Sequence, residues 1–198
     1  MSQIKVTKCP IDGLYVIEPT VHGDCRGSFT EVYNAADMRE AGIDRVFIQE
    51  NENVSVKGVL RGLHFQRQHP QCKLARVTIG TVFDVAVDIR KGSPTFGQWY
   101  GVLLTEENHK QFLIPEGFAH GMLVLSDTAK FVYKCTDTWH PGDEGGIAWN
   151  DPEIGIRWPM LTGTYQGSAS SEGYQIDGVP LILSEKDLQW GELTTLQL

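Results

Sequence analysis

Ala75-Arg76-Val77-Thr78-Ile79-Gly80-Thr81-Val82-Phe83-Asp84-Val85-Ala86-Val87-Asp88-Ile89 reads as two adjoining strands. Ala75, Val77 and Ile79 share one face. After Gly80, Phe83, Val85, Val87 and Ile89 alternate with Val82, Asp84, Ala86 and Asp88. A period of two is the pattern of a strand buried on at least one side. Lys91-Gly92-Ser93-Pro94-Thr95 then forms a turn cluster. Further short apolar runs follow at 101–104, 111–114, 121–125 and 131–134, with turn signals at 106–108, 115–117 and 126–127 between them. Many short strands at regular spacing predict an all-β sandwich or barrel. Helix is scarce. Residues 34–40 are the best candidate, with Asn34 as N-cap and Gly42 just past the end. A second short helix is expected near Ser184-Glu185-Lys186-Asp187. The polar, Gly/Ser/Thr-rich stretch between Pro159 and Pro180 reads as a long loop leading to a C-terminal tail. With no internal repeat and no linker, residues 1–198 read as one domain, with a polar loop near 162–179.

Composition narrows the function classes. Apolar residues make up 41% and charged residues 21%, ordinary for a globular chain. A net charge of −8 argues against nucleic acid as a bulk partner and against an anionic membrane surface, while leaving room for a local phosphate pocket. No stretch has the length of a signal peptide's apolar run or of a membrane span. Cys9, Cys25, Cys72 and Cys135 are far apart and form no CxxC pair. That disfavours structural zinc and suggests reduced thiols in a cytoplasm.

Chemistry concentrates in Gly58-Val59-Leu60-Arg61-Gly62-Leu63-His64-Phe65-Gln66. An imidazole can accept a proton near pH 7, and a neighbouring guanidinium suits phosphate. Alone, His64 reads equally as a hydrogen-bonded core histidine. His120 stands at the mouth of a strand in Ile114-Pro115-Glu116-Gly117-Phe118-Ala119-His120-Gly121. Pro-x-Gly-x-x-His is the second half of the cupin metal pattern. The first half, His-x-His, is here His64-Phe65-Gln66, so one imidazole is missing and no bound metal is expected. The pattern resembles a cupin jelly roll that keeps its cavity without its metal. Lys73 falls on the face of Ala75 and Val77, either meeting an anion inside or snorkelling outward. Tyr133 alternates with Phe131 and reads as core packing or, across a cavity from a base, as an acid. Asp187 could orient an imidazole or simply start a helix.

Taken together, the chain resembles the dTDP-4-dehydrorhamnose 3,5-epimerase family, metal-free cupin sugar epimerases. Several segments carry the resemblance: Gly23-Asp24-Cys25-Arg26-Gly27, Ile48-Gln49-Glu50-Asn51, Val59 through Gln66, Val82 through Arg90, Ser93-Pro94-Thr95-Phe96-Gly97, Ile114 through Gly121, Trp149-Asn150-Asp151-Pro152 and Leu183-Ser184-Glu185-Lys186-Asp187. It spans most of residues 10–190. The resemblance implies a cupin-type double-stranded β-helix (jelly roll) with a few short helices. It implies epimerisation of C3 and C5 of dTDP-4-dehydro-6-deoxyglucose through enolates, in dTDP-L-rhamnose biosynthesis, without cofactor or metal. His64 then matches the general base, paired with Asp187, and Tyr133 the proton donor on the opposite face. Lys73 matches the residue beside the 4-keto oxygen, and His120 a substrate contact. Arg26, Glu31, Gln49, Asn51 and Arg61 match nucleotide and diphosphate contacts, and Glu144 and Lys186 further binding positions. Trp139 stands where relatives usually stack a tyrosine on thymine. The family's habit is a homodimer exchanging an N-terminal strand, so that Arg26 or Glu31 can serve the neighbour's site. Two departures stand out: Trp139 itself and the long 162–179 spacer. The competing expectations are an epimerase acting at one carbon, a keto-isomerase on a related dTDP-4-keto-deoxysugar, and a non-catalytic sugar-nucleotide-binding cupin.

Overall fold

The computed structural model describes residues 3–196; the outermost residues of the expected 1–198 domain lie outside the described residues. The chain runs as β1 (Ile4–Lys8), β2 (Tyr15–Pro19), β3 (Val21–Asp24), β4 (Gly27–Thr30), α1 (Ala35–Glu40), β5 (Gln49–Val56), β6 (Leu60–Gln66), β7 (Lys73–Ile79) and β8 (Thr81–Asp88). It continues as β9 (Trp99–Thr105), β10 (Gln111–Ile114), β11 (Phe118–Val124), β12 (Thr128–Cys135), β13 (Glu144–Gly146), β14 (Leu161–Thr162), β15 (Gln175–Ile176) and β16 (Val179–Pro180). A six-stranded sheet in the order β1-β2-β10-β7-β12-β5 faces a five-stranded sheet in the order β13-β6-β11-β8-β9. This matches the all-β class read from the period-two runs and the jelly roll implied by the resemblance. The run at 111–114 coincides with β10. Most other strands extend one to three residues beyond the apolar runs, and Ile89 falls just past β8.

The alternation in β8 has a physical meaning on both faces. Val82 and Ala86 point between the sheets and pack with Ala75, Val77 and Phe131. Val85, Val87 and Ile89 point outward into a second core with Trp149, Ile154, Trp158, Ile176 and Leu193. The five-stranded sheet is thus covered on both sides, which explains why every residue of β11 is buried. Its outer cover is the C-terminal third of the chain, including the segment expected to be a loop. That segment is largely irregular, but β14, β15 and β16 form a small three-stranded sheet within it. The Asn150 side chain donates to the Gly167 and Ser170 carbonyls at 3.0 and 3.4 Å and accepts from the Ala169 N–H at 2.8 Å. Polar composition hid these anchors, because part of the loop's backbone is satisfied by the distant side chains of Asn150 and Trp149.

Helix α1 matches its sequence signals. Asn34 Oδ1 accepts from the Ala36 and Asp37 N–H groups at 2.9 and 3.4 Å, a cap worth about 1 kcal/mol. The helix ends as Gly42 N–H bonds Arg39 O and Ile43 N–H bonds Met38 O, with Gly42 at φ +84°. Near Ser184 the expected helix is a single 3₁₀ turn, Asp187–Gln189.

The turn after β8 is organised by Asp88, which accepts from Arg90, from Ser93 Oγ at 2.6 Å and from Thr95 Oγ1 at 2.6 Å. Burial pushes this carboxyl up, but the Arg90, Ser93 and Thr95 bonds together bring it down to about 2. An unfolded aspartate titrates near ~3.9. A depressed folded value stabilises the protein above the unfolded one and loses that stability as pH falls toward the folded one. We expect Asp88→Asn to destabilise the fold by about 2 kcal/mol at pH 7. In denaturant titrations this deficit should shrink steadily between about pH 4 and 2.

Candidate active site

The site lies at one mouth of the barrel, where inward residues of the two sheets converge. On the six-stranded sheet the register places Gln49, Cys135 and Lys73 in one row and Asn51, Tyr133 and Ala75 in the next. On the five-stranded sheet His64 stands opposite His120 in the β6–β11 ladder. Arg61 and His64 are three residues apart, yet both line the cavity. A break in the register explains this: His120 pairs with His64, but Met122 pairs with Arg61, so β6 carries one extra residue. Gly62 makes the bulge possible. It sits at φ +113°, and a Cβ there would come within 2.6 Å of Gly121 Cα and the His120 carbonyl.

Two cavities of about 430 and 510 Å³ share His64, Lys73, Tyr133 and Glu52 as walls. The first is bounded also by Gln49, Asn51, Trp139 and Glu144. The second is bounded by Arg61, His120, Lys186 and Asp187. A smaller apolar cavity of about 230 Å³ lies against Lys73 and His120, walled by Ile89, Ile114 and Phe118.

His64 Nε2 bonds Asp187 Oδ1. Asp187 is buried and its second oxygen accepts from Ser184 Oγ at 2.8 Å, while its own N–H is capped by the same hydroxyl at 3.2 Å. Burial raises the Asp187 carboxyl, and its bonds and charge interaction with His64, together with Ser184, outweigh this and hold it low. A charged aspartate on Nε2 keeps the imidazole proton on that nitrogen. The Nδ1 lone pair is then left to act as a base.

His120 is paired separately, Nε2 to Asp84 Oδ1 at 2.6 Å, with both residues buried. Burial lowers the His120 pKa more than Asp84 raises it, so the ring is held neutral. Asp84 was not anticipated as a functional residue. Its signal was present: an aspartate alternating with Val82 and Ala86 on the inward face of β8. Gln66 occupies the place of the missing cupin imidazole. Its amide donates to His69 O at 2.7 Å and Thr138 O at 3.2 Å and accepts from His140 N at 2.8 Å, which ties down the loop bearing Trp139. Gln49 Oε1 accepts from the Trp139 N–H at 3.0 Å, leaving the indole at the rim, 56% exposed.

Lys73 takes the inward alternative. Its ammonium stands 6.0 Å from the Tyr133 ring centroid, and no carboxylate lies within ion-pair distance of it among the described residues. Burial lowers its pKa and raises that of Tyr133, so the phenol stays protonated. At the mouth Lys186 bridges both Glu144 oxygens at 3.0 Å. Arg61 is held by Ser55 Oγ at 3.1 and 3.3 Å.

Two expected contacts are not in this cavity. Arg26 sits at the β3–β4 turn, paired with Asp24 at 2.5 Å on an exposed hairpin. Glu31 accepts from Asn34 Nδ2 at 2.8 Å beside α1. Within one chain, the structure therefore separates them from His64.

A jelly roll whose mouth gathers a carboxylate-held imidazole, an unpaired ammonium and a protonated phenol defines an acid–base cupin. Residues 8–195 match the sequence profile described as dTDP-4-dehydrorhamnose 3,5-epimerase. The chain is 49% identical over 193 residues to the dTDP-4-dehydrorhamnose 3,5-epimerase of Methanothermobacter thermautotrophicus, covering 98% of this chain and 96% of that protein. A crystal structure of dTDP-6-deoxy-D-glucose-3,5-epimerase from Legionella pneumophila, in complex with dTDP-4-keto-L-rhamnose, superposes with a TM-score of 0.87 at 46% identity, covering 98% and 95% of the two chains. A 3'-monoepimerase from Streptomyces bikiniensis in complex with dTDP-quinovose gives 0.80 at 33% identity, covering 94% and 87%. The chain belongs to the dTDP-4-dehydrorhamnose 3,5-epimerase family.

A buried ammonium with no ion-pair contact among the described residues is a strain on the fold, since its desolvation outweighs the distant attraction of Asp84 and Glu144. We expect Lys73→Met to raise unfolding free energy by about 1 kcal/mol at pH 7 while abolishing turnover. A lysine with a lowered folded pKa destabilises below that value. The gain should therefore fade as pH rises toward ~10.4, where the unfolded side chain also loses its proton. Urea unfolding at pH 7 and 10 reads both effects.

Proposed function

We propose that the chain epimerises C3 and C5 of dTDP-4-dehydro-6-deoxyglucose, in the formation of dTDP-L-rhamnose, by proton transfer alone. The observation that carries this reading is the placement of base and acid on opposite sheets of one cavity, His64 on β6 and Tyr133 on β12. A proton alpha to a ketone is weakly acidic, so its removal needs a placed base and a cation at the developing oxygen. His64 Nδ1 takes the proton, and Asp187 stabilises the imidazolium. The C–H electron pair becomes the enolate C=C, and the C4 oxygen carries its charge beside Lys73. Tyr133 returns a proton to the other face, inverting the carbon. Each such acid–base step is worth about 10²–10⁴-fold. Exchange with solvent water returns His64 to its neutral form and Tyr133 to its phenol, after which the second carbon, flanking the same ketone, uses the same set.

In this reading Arg61 takes the diphosphate, Gln49, Asn51, Glu144 and Lys186 bind the substrate, His120 touches the sugar, and the exposed Trp139 indole stacks on thymine. No metal or redox cofactor enters. The four free cysteines support a reducing, cytoplasmic setting. One core between two sheets supports a single domain over the described residues.

The assay is incubation with dTDP-4-dehydro-6-deoxyglucose in D₂O after exhaustive chelation. Deuterium should appear at C3 and C5 by NMR. Label at one carbon only would instead support the monoepimerase reading, and label at neither would rule out epimerisation. His64→Asn should abolish exchange, and Tyr133→Phe should permit it at one carbon without full inversion.

We also propose a homodimer in which the β3–β4 hairpin crosses to the neighbour. The hairpin's exposure, with Phe29 71% accessible, and the distance of Arg26 from its own cavity support this. Mixing His64→Asn with Arg26→Ala chains should restore activity, because each mixed dimer holds one site with both native residues. Activity no higher than that of the separate variants would place Arg26 outside the partner's site.

A further inference from the structure

Beyond the pair itself, His64 and Asp187 share a third neighbour that sequence reading passed over. Trp190 follows the 3₁₀ turn carrying Asp187. Its ring stands edge-on to the His64 imidazole, with centroids 6.2 Å apart and planes at 68°. The indole lies flat on Gly146, where a Cβ would approach the ring to 2.2 Å. Gly146 is also the ladder partner of His64, so only glycine there admits the indole beside the base. The tail is fixed here by Ala148 N–H bonding Gly191 O at 2.8 Å and by Leu193 N–H bonding Asp151 Oδ2 at 2.6 Å. The Trp190 Nε1–H is itself buried without an acceptor in full hydrogen-bond geometry among the described residues. It nevertheless contributes to keeping Asp187 charged. Trp190 does not line either substrate cavity.

We propose that Trp190 is a positioning residue for the base, holding the imidazole against Asp187 and excluding water from the side of the pair opposite the cavity. Water admitted there would weaken the aspartate–imidazole bond and let the ring rotate away from its productive angle. This role rests on His64 being the base. Its test therefore includes a measurement on the free protein.

In the parent, the His64 Nε2 proton should give a low-field ¹H NMR resonance that exchanges slowly with water and is absent in Asp187→Asn. Trp190→Ala should broaden it into the solvent and lower kcat about tenfold or more, with dTDP affinity within twofold of the parent. Trp190→Phe restores the covering ring without the N–H, so it should fold and recover the resonance and most of kcat. Gly146→Ala, which pushes the indole away, should reproduce the Trp190→Ala signature if that variant does not fold. A Trp190→Ala or Gly146→Ala protein with the parent's resonance and kcat would overturn the proposal. So would equal losses of dTDP affinity, kcat and Tm with the resonance intact. A parent that shows the resonance but does not label the sugar would overturn the epimerase reading and leave the positioning result standing.

Discussion

The bond between His64 and Asp187 spans 123 positions of sequence and fastens the C-terminal segment to β6. A carboxylate as buried as Asp187 is tolerated only with its oxygens occupied. His64 takes one oxygen and Ser184 the other, so the C-terminal segment has one way to lie. The same segment covers the outer face of the five-stranded sheet, where Ile176 and Leu193 join Val85 and Val87. Tail docking, outer-core burial and the tautomer of the His64 imidazole are therefore one event. This explains why the long 162–179 spacer does not loosen the site: Asn150 and Trp149 anchor it from beneath.

The cavity's electrostatics follow from strand geometry. In a chain of net charge −8, Arg61, Lys73 and Lys186 converge at one mouth. Lys186 is neutralised by Glu144, and Arg61 rests on an uncharged serine. Lys73 faces the cavity with no carboxylate in ion-pair contact among the described residues, Asp84 and Glu144 acting on it only at a distance. Such a residue weakens the folded state and finds its compensation in an anionic ligand or a developing oxyanion. The neutral His120 and protonated Tyr133 complete the wall of the cavity.

Much of this was legible in the residues because strands write their burial with period two. The alternation at 82–88 predicted β8, and Gln66 in place of a second imidazole made an acid–base cavity the expectation there. Lys73 remained ambiguous, since alternation puts it on the inward face but does not say where the barrel wall ends. Asp84 was overlooked, because its partner His120 lies 36 residues away on another strand. Trp190 gave no signal at all: an aromatic in a polar tail is ordinary until Gly146 is seen beneath it. Arg26 and Glu31 were expected as substrate contacts and do not line the cavity of their own chain. A motif preserves order along the sequence without stating where the fold carries it.

The sequence by itself determined the all-β class, the strands of the period-two runs and the cap of α1, because each depends on short-range periodicity or residue chemistry. Tertiary structure alone decided that Arg61 and His64 share a wall, through a one-residue bulge at Gly62. It also decided that Asp187 reaches His64 and that Trp190 covers the pair. These are long-range contacts set by packing and hydrogen-bond satisfaction, to which no local pattern along the chain corresponds.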